Sequence, residues 1–132
     1  MKRITIIFIP GLVAILTIAI AAQQPPFKRT ILQQVDISAP GREVVTAVAE
    51  FQPGAVAGRH THAGEEVGYV IDGTIVVEVE GKQAVTLGPG KAFVIPAGAI
   101  HNAKNTGSGV AKIVATYIVE KGKPLATPVP GN

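Results

Sequence analysis

Three histidines are the residues of this 132-residue chain most suited to chemistry, and all of them fall between positions 60 and 101. His60 and His62 are two apart. On an extended strand that spacing sends both side chains to one face, roughly 6 to 7 Å apart at Cβ, close enough for two imidazoles to converge on one ion. Glu66 follows after the short Ala63-Gly64-Glu65 segment. Read as a hairpin connection, that segment carries Glu66 into the strand beside the histidines. His101, just beyond the rigid Pro96-Ala97-Gly98 turn, adds a third imidazole. Three nitrogens and one carboxylate oxygen suit a divalent transition ion, Fe, Mn, Ni, Cu, Co or Zn, with coordination positions left open. The chain has no cysteine, which excludes a thiolate metal site, a cysteine nucleophile, a disulfide framework and a lipid-modified cysteine.

The elements that must hold these residues read as β-strands. Fifteen glycines and ten prolines punctuate the chain, and beyond the first 22 residues turn signals recur between short segments rich in Val, Ile and Thr. That pattern predicts an all-β sandwich or barrel rather than a helical bundle or βαβ units. In 74–80, Ile75, Val77 and Val79 alternate with Glu78 and Glu80 and should face the core, with Asp72-Gly73 read as a tight-hairpin dipeptide. In 110–120, Ile113, Ala115, Tyr117 and Val119 alternate against Lys112 and Glu120, which predicts an inward Tyr117.

The ends have a different character. Met1-Lys2-Arg3 precedes 19 uncharged residues, Ile4 to Ala22, and Ala19-Ile20-Ala21 supplies small residues for a peptidase. The expectation is a secretory signal (1–22) cleaved after Ala21 or Ala22, or else an uncleaved anchor, either of which exports the domain to the periplasm or beyond. Residues 23–30 read as a linker, 31–122 as the folded domain, and the Pro-containing 123–132 as an extended or disordered tail. Beyond the leader, ten Lys and Arg face nine Asp and Glu without a dense basic run, so neither a nucleic-acid partner nor membrane chemistry is expected.

Two stretches resemble the paired motifs of the cupins. Gly54 to Gly73 resembles the first, G-x5-H-x-H-x3-E-x6-G, and Gly90 to Asn105 resembles the second, G-x5-P-x-G-x2-H-x3-N, with 16 residues between them as in small bacterial single-domain cupins. The resemblance implies a small jelly-roll barrel with a metal on His60, His62, Glu66 and His101. Glu65 competes as the carboxylate. Glu66 is preferred because its distance to Gly73 fits the motif and strand alternation aims Glu65 the other way. Asn105 and Tyr117 are candidate partners of the ligands, with a strand-end or turn role for Asn105 and a barrel-filling role for Tyr117 as the alternatives. Arg59 and Lys91 are expected to be solvated, and the motif glycines to serve turns.

Cupins host many activities, so the inward polar groups must decide the function. Beyond the ligands only Tyr117 is an inward candidate with titratable chemistry, and no fourth histidine is present for an epimerase acid/base pair. The expectation is a metal-dependent oxygenase or lyase acting on a small organic acid, phenolic or diketone-like compound. The alternative is a non-catalytic metal- or small-ligand-binding module. A homodimer is expected from the resemblance and from an exposed, Val-rich edge strand near the N-terminus.

Overall fold

The computed structural model describes residues 26–131, so the expected leader lies outside the described residues. Ten strands follow in order: β1 (Phe27–Asp36), β2 (Arg42–Phe51), β3 (His60–Thr61), β4 (Gly64–Asp72), β5 (Ile75–Val79), β6 (Val85–Leu87), β7 (Ala92–Ile95), β8 (His101–Asn105), β9 (Ala111–Glu120) and β10 (Thr127–Pro128). They build two antiparallel five-stranded sheets, ordered β1-β2-β9-β4-β7 and β10-β3-β8-β5-β6, a jelly-roll arrangement with no helix among the described residues.

Alternation builds the core. On β2, Val45, Ala47, Ala49 and Phe51 are buried, and on β9 so are Ala111, Ile113, Ala115, Tyr117 and Val119. The two strands run in register, so Ala47 lies opposite Ala115 and Ala49 opposite Ile113. On β5, Ile75 and Val77 are buried as the alternation predicts, while Val79 near the open end is half-buried. The strand β4 alternates without a break. Gly64, Glu66, Gly68 and Val70 face inward, and Glu65, Val67, Tyr69 and Ile71 face solvent.

The two glycines flanking Glu66 on that inner face have a steric reason. A Cβ at Gly64 would stand 1.9 Å from the Ile118 carbonyl oxygen, and one at Gly68 would stand 2.1 Å from the Phe93 ring. Gly64 thus lets β4 close on β9, and Gly68 lets Phe93 lie across the strand.

Several boundaries differ from those the sequence suggests. Residues 27–30, expected in the linker, open β1, where Phe27 pairs with Phe51 and Arg29 with Ala49. Phe27 stacks on Phe51 at 4.8 Å between centroids, enough apolar contact to hold the strand start that the nearby prolines and cations mask in the sequence. The tail is not free either. Thr127 and Pro128 pair with Thr61 and His60, adding β10 to the second sheet. Asp72-Gly73 is not a tight hairpin, because β4 and β5 belong to different sheets and the dipeptide carries the chain across. Gly73 takes a positive φ of 75° there, its N–H donating to Asp72 Oδ1 at 2.8 Å. Nor is Ala63-Gly64-Glu65 a hairpin turn: Gly64 and Glu65 already belong to β4, the chain crosses between sheets at His62-Ala63, and Glu66 faces the histidines from the opposite sheet instead of entering a strand paired with theirs.

Candidate metal centre

His60, His62, Glu66 and His101 are all buried, and each offers one ligand atom within 4.8 Å of the others. His60 on β3 lies directly opposite His101 on β8, their ring centroids 4.2 Å apart. His62, one residue beyond the end of β3, completes the triangle at 4.8 Å from His60 and 4.9 Å from His101. Its backbone is fixed by the Pro96-Ala97-Gly98 turn, whose Gly98 N–H donates to His62 O at 3.0 Å. Glu66 approaches from the other sheet, with Oε2 3.0 Å from His62 Nε2 and 3.3 Å from His101 Nε2. Glu65 is exposed on the outer face, which leaves Glu66 as the inward carboxylate.

The backbone sets how each imidazole is used. His60 Nδ1 lies 2.7 Å from Gly58 O, His101 Nδ1 lies 2.9 Å from Ala99 O, and His62 Nδ1 meets Leu125 O. A carbonyl only accepts, so each Nδ1 carries the hydrogen and donates it, and the neutral ring presents a lone pair at Nε2. All three Nε2 atoms therefore face the cluster as acceptors. Those of His60 and His101 are buried without a hydrogen-bond partner. That of His62 confronts a carboxylate oxygen, itself an acceptor. Buried acceptors facing one another are costly unless a cation lies between them, so these residues fit a bound metal ion.

The titration of the ligands is consistent with that. Burial lowers the His60 pKa to about 4, and the neighbouring His101, His62 and Arg29 push the same way against the Gly58 hydrogen bond. In the metal-free protein burial pushes the Glu66 carboxyl up, and hydrogen bonds from His101 and His62, which require a proton on the Nε2 that faces it, hold the group at about 2. Both residues are thus kept in the protonation state a metal needs. Tyr117, cross-strand neighbour of Glu66, is raised well above the ordinary phenol by burial first and the Glu66 charge second, so it stays protonated. Its ring packs edge-on to His62 at 4.8 Å. The expected inward position of Tyr117 is therefore observed, in contact with a ligand.

Asn105, the other candidate partner, touches no ligand. Its Nδ2 donates to Phe51 O at 3.0 Å and Gly109 O at 2.8 Å, and its Oδ1 accepts from Gly107 N at 2.8 Å. These three hydrogen bonds tie the β8–β9 turn to the end of β2, while the partners of the histidines are the backbone carbonyls of Gly58, Ala99 and Leu125. Arg59, expected to be solvated, pairs with Glu80 at 3.3 Å on the surface, and Lys91 is exposed.

A cavity of about 20 Å³ adjoins the cluster, lined by His60, Glu66, His101, Tyr117 and apolar side chains including Phe51 and Phe93. It has room for one or two waters. Arg29 also lines it, a residue the sequence reading passed over as linker. The available signal was the alternation of Phe27, Arg29 and Ile31, which is strand-like once the prolines are set aside. A wider recess of about 290 Å³ reaches His101 from the surface, but its polar groups bond one another, Arg59 to Glu80 and Asn102 to Glu78.

A cupin-domain family profile matches residues 47–117, more than half of the chain. The chain belongs to the cupin family. The HTH-type transcriptional regulator PuuR of Escherichia coli (strain K12) is 34% identical over 79 residues, 59% of this cupin and 42% of the regulator. Among solved structures, the DMSP lyase DddQ from Ruegeria pomeroyi superposes with a TM-score of 0.65 at 19% identity, over 79% of this chain and 52% of that one. An oxalate oxidase in complex with the substrate analogue glycolate gives 0.62 at 22% identity, over 80% and 61%. The cupin thus spans less than half the length of the curated relatives it matches, and at these identities the two enzymes share its fold.

Substitution separates the two adjacent carboxylates. His62→Ala or His101→Ala should abolish one-to-one binding of a divalent transition ion and Glu66→Gln should weaken it at least tenfold, whereas Glu65→Gln should leave it unchanged. Metal loss in Glu65→Gln with retention in Glu66→Gln, read by elemental analysis after dialysis, would contradict the assignment.

The metal-free protein should also lose stability in acid. His60 takes up a proton near pH 6.5 when unfolded but only near pH 4 when folded, so its stabilisation is complete above 6.5 and lost as pH falls through 4. The shift corresponds to on the order of 3 kcal/mol. Glu66 extends the loss below pH 4.5, toward its folded value near 2. Urea unfolding from pH 7 to 4 should show the fall for the native sequence and a much flatter profile for His60→Leu; equal slopes would rule the account out.

Proposed function

We propose that this cupin is an exported, metal-dependent enzyme of oxygenase or lyase type acting on a small organic molecule. The observation that carries the proposal is the convergence of three tautomer-fixed imidazole Nε2 atoms and one carboxylate on a point beside a small, mostly apolar cavity. Four protein ligands leave positions open on a metal of higher coordination number, as a reacting site requires. Export is supported by the cationic start and the 19-residue uncharged run of the sequence. That a lyase and an oxidase are built on this same fold supports the choice of reaction types.

A divalent transition ion bound at the four ligands supplies Lewis acidity and, where it is redox-active, one-electron chemistry. The side chains of the chain do the rest. The carbonyls of Gly58, Ala99 and Leu125 hold the imidazoles in orientation, so the donor set needs little rearrangement. Phe51, Phe93, Val77 and Ile113 keep bulk water from the cavity. Glu66 is the one carboxylate lining it and stays ionised at neutral pH as a ligand, and the Tyr117 phenol, which stays protonated, is suited to donate a hydrogen bond.

The match to PuuR favours a second function, a non-catalytic module that binds a small ligand. Metal analysis of protein from its natural compartment, followed by oxygen uptake and product analysis with small organic acids, phenols and diketones on the Fe(II)- or Mn(II)-loaded protein, separates the two. Substrate-dependent turnover that disappears in His101→Ala is the expected result. Stoichiometric binding of those compounds with no turnover under air would establish the ligand-binding module instead.

We further propose a homodimer, because β1 is a sheet edge with Ile31, Leu32 and Val35 exposed on it. Light scattering at tens of micromolar should give twice the protomer mass, and a monomer mass would reject the dimer.

A further inference from the structure

Arg29 is the one cation lining the metal cavity, and its setting is unlike that of the other basic residues described. It sits on the only part of β1 that is covered: Phe27 and Arg29 are half-buried, and the rest of the strand is exposed. The guanidinium carbon lies 5.4 Å from the centre of the Phe27 ring and 5.5 Å from that of Tyr117. The Tyr117 hydroxyl is also within reach of the guanidinium as a hydrogen-bond acceptor. Nε is buried without a hydrogen-bond partner. Among the described residues no carboxylate comes within ion-pair distance of Arg29: the carboxylate of Glu66 lies against the two histidines, and those of Glu50 and Glu80 against Lys112 and Arg59.

The charges of the cavity are one-sided once the ligand set is filled. A divalent ion with Glu66 and three neutral imidazoles keeps one net positive charge, and Arg29 adds a second on the same small space. Apart from Glu66, no acidic residue lines the cavity. A planar guanidinium with an unpaired, buried Nε–H recognises a carboxylate better than any neutral group of the same shape, and a cavity of about 20 Å³ has room for little more than the carboxylate group itself.

We propose that the cavity binds a small carboxylate, held by the Arg29 guanidinium at one side and the metal centre at the other, so that Arg29 is the residue that selects anionic substrates. The inference rests on the proposed metal site and narrows its substrate class to compact carboxylic acids, leaving phenols and diketones disfavoured. A structural role, in which Arg29 only offsets the charge of Glu66, predicts no response to an added carboxylate.

The buried Nε–H gives a direct readout. The full chain, labelled with ¹⁵N, is titrated with acetate and separately with its neutral isostere acetamide, in zinc-loaded and in metal-free form, while the Arg29 Nε–H resonance is followed. Acetate should shift that resonance saturably in the zinc-loaded protein, and acetamide should not. Arg29→Met should weaken acetate binding at least tenfold by calorimetry with zinc stoichiometry unchanged, and Arg29→Lys should recover part of the loss. No acetate-dependent shift in either form, an equal shift with acetamide, or undiminished acetate binding in a folded Arg29→Met protein would each overturn the proposal. The native-sequence titration decides the matter even if Arg29→Met fails to fold. Failure of the metal site shows separately, as zinc stoichiometry below one, and absence of turnover shows only in the oxygen and product assays.

Discussion

Each of the three imidazoles gives its Nδ1 hydrogen to a backbone carbonyl, and this constraint shapes everything else in the barrel. Gly58 O, Ala99 O and Leu125 O decide which nitrogen of each ring carries the proton, and thereby aim three lone pairs at one point. Two of these carbonyls are local, two residues before the histidine they bind, so they need only the bend of the chain ahead of β3 and ahead of β8. The third comes from a segment 63 residues further on, which is why the tail must return across the second sheet as β10. A site of this kind is held by backbone, which does not change rotamer, and its side chains are left for chemistry.

The converging lone pairs need a counterpart from the opposite direction. Glu66 supplies it from the first sheet, and the two layers of the sandwich are thus joined through the site as well as through the apolar core. The sequence of β4 accommodates this at close quarters: glycines on either side of Glu66 allow β9 to approach on one side and Phe93 to lie over the strand on the other. The low pKa of Glu66, despite its burial, follows from its contacts with His101 and His62, and the depressed pKa of His60 follows first from burial. Stability and metal affinity are therefore coupled through pH, because the groups that must be deprotonated to bind metal are those that oppose protonation in the folded state.

The polar residues away from the centre divide by whether the backbone needs them. Asn105 ends the second histidine motif, yet its three hydrogen bonds go to the turn before β9 and to the end of β2. Tyr117 is held inward by alternation and set against His62 by its register with Glu66. Arg29 has no such structural assignment for its Nε–H, and that unsatisfied donor sets it apart.

By itself the sequence determined whatever depends on local periodicity and spacing. Alternation along 74–80 and 110–120 was enough to orient Ile75, Val77 and Tyr117, and alternation together with the distance to Gly73 was enough to separate Glu66 from Glu65, because a strand sends successive side chains to opposite faces wherever it lies. The two histidine motifs likewise marked the four residues that converge as a candidate metal site. Only the tertiary structure decided which strands are neighbours. Asp72-Gly73 and Ala63-Gly64-Glu65 have the composition of hairpin turns, but the strands around them pair with partners distant in sequence, so the chain changes sheets at each place, Gly64 and Glu65 join β4, and Glu66 came to face the histidines across the sandwich. The same holds for Arg29 and Leu125, which lie in segments with the composition of a linker and a tail. What places them at the site is pairing with β2 and β3, and such long-range pairing leaves no mark on the local pattern of either segment.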